Sequence, residues 1–153
     1  MTGKIIKGIA GFYYVCGRDG ILYECKAKGI FRNKNIKPLV GDMVEISVLG
    51  QDPPEGNIDQ ILPRINTLIR PAVANVDQAL VIFALRDPKP NLNLLDRFLV
   101  LMERSGVKAV VVFNKMDLAG EEEKDQYGKI YETAGYEVKF LSALDQTGLK
   151  EIR

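Results

Sequence analysis

The chain has no histidine, no tryptophan and only two cysteines in 153 residues. Without histidine there is no Ser-His-Asp or Cys-His nucleophile pair and no imidazole-ligated metal. Cys16 and Cys25 cannot close a four-ligand zinc site by themselves. They do not make a dense disulfide framework either, so a reducing, cytoplasmic setting is expected. An excess of one charge is also missing: 21 Lys and Arg face 20 Asp and Glu, a formal net charge of +1. Near-neutrality argues against a globally basic nucleic-acid binder but not against a local basic patch. No apolar run approaches the roughly 20 residues of a membrane-spanning helix. The N-terminal Met1-Thr2-Gly3-Lys4-Ile5-Ile6-Lys7 lacks the apolar centre of a secretion signal. The expectation is a soluble chain with no membrane partner.

What is present suits a folded protein. The apolar fraction is 46%, enough to build a core, and the length fits one average domain or two small ones. The pattern changes along the chain. Residues 1–62 look all-β. Lys4 to Cys16 is rich in β-branched and aromatic residues and is interrupted by Gly8 and Gly11, as at bulges or barrel corners. Arg18-Asp19-Gly20 is a hairpin signal, and Ile21 to Phe31 resumes strand character. Val44, Ile46 and Val48 alternate with Met43, Glu45 and Ser47, the period of a half-buried strand. Asp52-Pro53-Pro54-Glu55-Gly56-Asn57 reads as a turn and Ile58 to Leu62 as a last short strand. Short strands with glycine interruptions predict a small β barrel of OB-fold type, although an SH3-like barrel leaves much the same trace.

Residues 63–77, with Pro63 and Pro71, read as a linker. Residues 78–153 then alternate strand and helix. Gln78 to Leu85 is a nearly continuous apolar strand, as inside a parallel sheet. Asn91 or Asn93 can cap a helix whose Leu95, Phe98, Leu99 and Met102 share one face. Val107 to Phe113 is a second buried strand, Glu121 to Ala134 a helix with acids in its first turn, and Tyr136 to Leu141 a third strand. This order predicts an α/β unit with a parallel sheet and right-handed crossovers.

The sharpest chemical signal is Asn114-Lys115-Met116-Asp117, directly after the second buried strand, where open α/β sheets place their ligands. N-K-x-D at that position is the guanine-specificity motif of GTPases. Guanine presents two adjacent donors, N1–H and the 2-amino group, and the Asp117 carboxylate can accept both. Adenine has an acceptor at N1 and no 2-amino group, leaving the carboxylate against a lone pair, and an unpaired buried polar group costs about 1–3 kcal/mol. The Lys115 stem can cover the base plane, and Asn114 can bond the base and tie neighbouring loops. Ser142-Ala143 follows the third strand, where a backbone N–H near Ala143 would donate to guanine O6. The expected guanine-binding set is Asn114, Lys115, Asp117, Ser142 and Ala143. No G-x-x-x-x-G-K-[ST] phosphate loop occurs in the chain. The simplest account is a permuted order with that loop beyond Arg153, so that the chain would be an N-terminal piece. No catalytic residue is assigned.

The chain resembles the bacterial ribosome small-subunit-dependent GTPases, which are circularly permuted and carry an N-terminal OB-fold. The matching segments are Arg70-Pro71-Ala72-Val73-Ala74-Asn75-Val76-Asp77-Gln78, Leu94-Leu95-Asp96-Arg97-Phe98-Leu99, Asn114-Lys115-Met116-Asp117-Leu118 and Ser142-Ala143. The resemblance implies a fold of OB barrel followed by part of a permuted P-loop-GTPase parallel sheet. It also implies GTP or GDP with Mg²⁺, binding to the 30S ribosomal subunit and its 16S rRNA, a role in late small-subunit maturation, and zinc in a C-terminal domain that would follow. A monomer is expected. The residues alone also permit a non-enzymatic RNA-binding barrel with an α/β docking platform.

A weaker signal lies in the barrel. Lys26, Lys28, Arg32, Lys34 and Lys37 fall in one stretch without an acid, with Phe31 among them and Tyr13, Tyr14 and Tyr23 on nearby strands. Basic grooves with exposed aromatics suit RNA backbone contact and base stacking. Asp96 is read as a structural partner. The apolar strand Gln78 to Leu85 is expected to have an open edge, and the isolated chain to be marginally stable and to bind GDP poorly.

Overall fold

Alternate side chains fall on opposite faces of a strand, so the period-two stretches of the first part can line an interior with one face. In a computed structural model describing residues 1–29, 31 and 36–152, they form β1 (Thr2–Ile9), β2 (Phe12–Gly17), β3 (Leu22–Ala27), β4 (Met43–Gln51) and β5 (Pro54–Ile61). The strands close into a barrel in the order β1-β2-β3-β5-β4. β3 and β5 run parallel while the other neighbours are antiparallel. This is the OB arrangement, and it resolves the OB or SH3-like alternative. Ile5, Val15, Tyr23, Cys25, Val44 and Ile58 fill the interior. Burial pushes the Cys25 thiol up to about 11, with the nearby Asp59 charge adding to the effect, so it stays a neutral, small hydrophobe.

Two local readings change. Lys4 to Cys16 is two strands, joined by a two-residue turn with Ala10 at φ +50° and Gly11 at φ +88°. Alanine at the first left-handed position hides a turn that Asn-Gly or Gly-Gly would have announced. The irregularity in β1 falls between Ile5 and Lys7. The second change is that Pro54 to Asn57 belongs to β5 rather than to the turn. Gly56 is there for close packing: a Cβ would stand 2.9 Å from the Ser47 carbonyl oxygen and 3.2 Å from Cys25 Sγ.

Residues Met1–Val76 form one compact unit and Asp77–Arg153 a second. The stretch 63–76 contributes a short hairpin, β6 (Thr67–Leu68) with β7 (Val73–Ala74). Val73 bridges Val40. Asn66 grips Val76 from both sides, its Nδ2 donating to the carbonyl at 2.8 Å and its Oδ1 accepting the N–H at 2.8 Å. Asn75 (φ +55°) donates from Nδ2 to the Gly41 carbonyl at 3.0 Å and accepts the Ile65 N–H at 2.8 Å. Beneath the hairpin, the fully buried Asp42 carboxylate takes Arg64 Nε at 2.7 Å and Arg64 Nη2 at 2.8 Å.

The second unit is βαβαβ: β8 (Gln78–Ala84), α1 (Leu92–Arg104), β9 (Lys108–Asn114), α2 (Glu121–Thr133) and β10 (Glu137–Phe140). The sheet is parallel in the order β10-β9-β8. Asn91 caps α1, its side chain accepting the Leu94 N–H. Leu95, Leu99 and Met102 of α1 are buried, whereas Phe98 stays partly exposed and meets Phe83 edge-on at 6.4 Å. Phe113 is fully buried, its ring 5.5 Å from Tyr127, 6.1 Å from Tyr131 and 5.6 Å from Phe140. Val110, Val112 and Leu141 form a second cluster with Leu149 and Ile152 against it. Leu80 and Ile82 pair with Val110 and Val112 in the register but remain exposed. β8 has no second partner strand among the described residues. No helix among the described residues is long and apolar enough to cross a membrane.

The two helices are tied by Tyr131 of α2, whose buried hydroxyl donates to Asp96 of α1 at 3.0 Å. Burial first, then the Asp96 bond, push its ionisation well above the tyrosine range. Asp96 is exposed and can turn to water, so Tyr131→Phe should cost only about 1 kcal/mol. Urea unfolding of the variant measures this.

Candidate functional site

Parallel strands converge their carboxyl ends on one rim, and in this unit the rim holds every residue of the expected guanine set. β9 ends at Asn114. Lys115 then turns the chain in the left-handed region (φ 63°), and Met116–Leu118 forms a single 3-10 turn that leaves Asp117 exposed. The loop after β10 is drawn to the same place. The Met116 N–H donates to the Leu141 carbonyl at 3.0 Å. Asn114 Oδ1 accepts the Lys115 N–H at 2.7 Å and the Ala143 N–H at 3.0 Å. Lys115 Nζ donates to the Asp87 carbonyl, joining the loop after β8. Asn114 therefore ties neighbouring loops together and accepts the Ala143 N–H.

Ser142 sits differently from its neighbours. It is fully buried, and its Oγ accepts the Asp145 N–H at 3.4 Å while its N–H donates to the Thr147 carbonyl at 3.0 Å. Its side chain shapes the loop from inside. Asp145 closes the same loop by accepting the Thr147 N–H at 3.1 Å. That backbone bond is the largest of the contacts holding the Asp145 carboxyl below the ordinary aspartate range. A depressed folded-state value contributes order that is complete above the unfolded value and is lost as pH falls through the depressed one. The Thr147 amide shift is expected to titrate with a midpoint below that of an ordinary aspartate, and Asp145→Asn to abolish the transition. A cleft of about 490 Å³ between α2 and β10 has Met116 on its wall but not Asn114, Asp117 or Ala143. The guanine set lies on the rim instead.

Of the barrel's basic stretch, Lys28 and Lys37 line one cleft with Tyr13 and Phe31. Lys26 and Lys37 are exposed. Lys28 is engaged by Asp59 at 2.6 Å, and that bond, with one from Ser47, holds the Asp59 carboxyl low. Arg32 and Lys34 lie outside the described residues. The aromatics also sort differently from expectation. Phe31 and Tyr23 are buried in the barrel, at 7% and 3% exposure. Tyr13 packs against the same core. Tyr13 also lines clefts open to the surface, and Tyr14 lies on the outer face, with Lys7 Nζ 5.0 Å from its ring centroid. Phe12, which the sequence did not single out, lies under Lys26 at 5.1 Å. Alternation along β1 and β2 carried the signal: with Ile5 and Val15 inside, the outer positions are Lys4, Phe12 and Tyr14.

The comparisons bear on this arrangement as a whole. A family model described as RsgA GTPase matches residues 61–153, and one described as RsgA N-terminal domain matches residues 2–58. The small ribosomal subunit biogenesis GTPase RsgA of Agathobacter rectalis is 54% identical, covering all of this chain and 54% of that protein. Its counterpart in Alkaliphilus metalliredigens is 49% identical over 98% of this chain and 51% of its own length. The chain thus spans about half the length of the curated relatives it matches. Among solved structures, YloQ, a circularly permuted GTPase, superposes with a TM-score of 0.81 at 39% identity over 99% of this chain and 54% of that one. YjeQ from Thermotoga maritima gives 0.84 at 32% identity over 99% and 55%. A barrel preceding a sheet whose strand ends carry N-K-x-D and Ser-Ala, matched in both parts by one family's models, has a single reading: the chain belongs to the RsgA GTPase family.

Proposed function

We propose that this chain supplies the RNA-contacting barrel and the guanine-reading loops of a GTPase acting on the 30S ribosomal subunit late in its maturation. The observation that carries the reading is the Asn114 to Ala143 hydrogen bond, which brings the loops after β9 and β10 together beside an exposed Asp117. In this reading Asp117 accepts guanine N1–H and the 2-amino group, and the Lys115 stem covers the base. Ser142 shapes its loop, and the Ala143 N–H reads O6 once the Asn114 amide releases it. Residues 1–62 are the RNA-binding domain, 63–77 the connection and 78–153 half of a permuted GTPase domain. The partners are guanine nucleotide, the 30S subunit and its 16S rRNA; the protein works as a cytoplasmic monomer.

Hydrolysis is proposed for a protein of the relatives' length, because the phosphate-binding loop is not among these 153 residues. Among the described residues no three His, Cys, Asp or Glu side chains come together to hold a metal. In this reading Mg²⁺ accompanies the nucleotide's phosphates, and zinc belongs to a C-terminal domain of a protein of that length. The alternative of a purely RNA-binding module has no use for the Asn114, Asp117 and Ala143 arrangement.

The test is titration of this chain with GDP and with ADP, followed by amide shifts. GDP is expected to move residues 114–117 and 142–145 with a dissociation constant on the order of 1 mM, and ADP to leave them unmoved. Equal responses to both would end the guanine reading. Submicromolar GDP binding would show that phosphate contacts are not missing.

A further inference from the structure

Three consecutive residues after β8 reach across to the loop that follows β9. The Leu85 N–H donates to the Asn114 carbonyl at 2.8 Å. Arg86 Nη1 donates to the Leu118 carbonyl at 3.1 Å. The Asp87 carbonyl accepts from Lys115 Nζ. The 3-10 turn Met116–Leu118 is thus held at both ends from the neighbouring strand, with Asp117 between the two anchors. Asp117 is exposed, so its aim is set by this backbone rather than by packing of its side chain.

Arg86 has a second partner. Its Nη2 stands 3.1 Å from Glu123 Oε2 in the first turn of α2. That oxygen is sealed from water and no hydrogen bond among the described residues meets it, so the guanidinium is its charge partner. A guanidinium can serve a carbonyl and a carboxylate together, because its donors fan out in fixed directions. The buried oxygen holds the guanidinium, and the guanidinium holds the Leu118 carbonyl.

Holding the turn matters because guanine needs Asp117 to accept two bonds side by side, from N1–H and the 2-amino group. A rotation of the turn that preserves one bond bends or stretches the other, and hydrogen bonds weaken steeply when bent.

We propose that Arg86 is a positioning residue for purine choice: bridging Leu118 and Glu123, it fixes the turn that presents Asp117 to the guanine 2-amino group. The proposal rests on the reading of Asp117 as the guanine acceptor. It adds the loop after β8 to the loops after β9 and β10.

The test compares GDP with IDP by calorimetric titration of a protein of the relatives' length. IDP keeps N1–H and O6 but lacks the 2-amino group, so the ratio of the two affinities reads that one bond. The unsubstituted protein should prefer GDP about 10-fold or more, as for a hydrogen bond to a charged group. Arg86→Met keeps the stem but removes every donor. It should weaken GDP about 10-fold and IDP about 3-fold, narrowing the preference about 3-fold. Glu123→Gln leaves the Leu118 bond but removes the charge that draws the guanidinium, and should narrow the preference about 2-fold. A merely structural role would lower both affinities alike. Equal losses for the two nucleotides in Arg86→Met, or no loss, overturn the proposal and leave the guanine reading standing. No preference for GDP in the unsubstituted protein overturns both. Should Arg86→Met not fold, Glu123→Gln decides: an unchanged preference there overturns the bridge.

Discussion

Asp42→Ala is expected to destabilise the first unit by about 3 kcal/mol, the lower end of the range for breaking a buried ion pair. The carboxylate is fully buried and receives three bonds: two from Arg64 and one from the Leu39 N–H at 2.8 Å. Arg64 keeps 26% side-chain exposure, so a stranded guanidinium recovers some hydration, which argues against the upper end. It also donates to the Lys37 carbonyl at 2.9 Å, and that contact should loosen with the pair. Domains of this size hold only about 5–15 kcal/mol, so the change removes much of the margin. Thermal and urea unfolding measure it. Adding Arg64→Met to Asp42→Ala should restore part of the loss, because no unpaired charge then remains. A change in Asp42→Ala within about 0.5 kcal/mol, the scatter of ordinary surface substitutions, would show that the pair contributes nothing.

The second large effect concerns which purine is accepted. In a protein of the relatives' length, Asp117→Asn should weaken GDP about 100-fold or more, because an amide presents a donor to one of guanine's two donors. Xanthine carries a carbonyl where guanine carries the 2-amino group and keeps N1–H. The introduced amide can donate to that carbonyl and accept from N1–H, so XDP should bind the variant better than GDP does. Calorimetric titration with both nucleotides reads the exchange. An unchanged preference for GDP would mean that Asp117 does not face the base.

The second unit was more legible in the sequence than the first, for a physical reason. β9 is buried from Ala109 to Phe113 and reads as an unbroken apolar run, β8 carries the same kind of run although Leu80 and Ile82 are exposed, and the residues following a parallel strand are where ligands are met. Asn114 and Asp117 were thus found from position as well as spelling. Barrel strands carry only half their signal, and closure adds demands that local propensity does not encode. Ala10 occupies a left-handed position because β1 must double back in two residues. Gly56 sits in a strand because Ser47 and Cys25 leave no space for a Cβ. Phe31 looked like a surface ring because it lies among lysines, and only the closed barrel shows that it faces inward. The Phe12 and Tyr14 face was missed because it is made by register between three strands rather than by neighbours in the chain.

The Asn66 clamp on Val76 and the Arg64 partner of Asp42 fix where the molecule can be dissected. A cut after Leu62, at the end of the last barrel strand, would strip a sealed carboxylate of its Arg64 partner and discard the hairpin bonded to Gly41. A cut after Val76 keeps both. Residues 1–76 are therefore expected to fold on their own, and a piece ending at Leu62 to be markedly less stable.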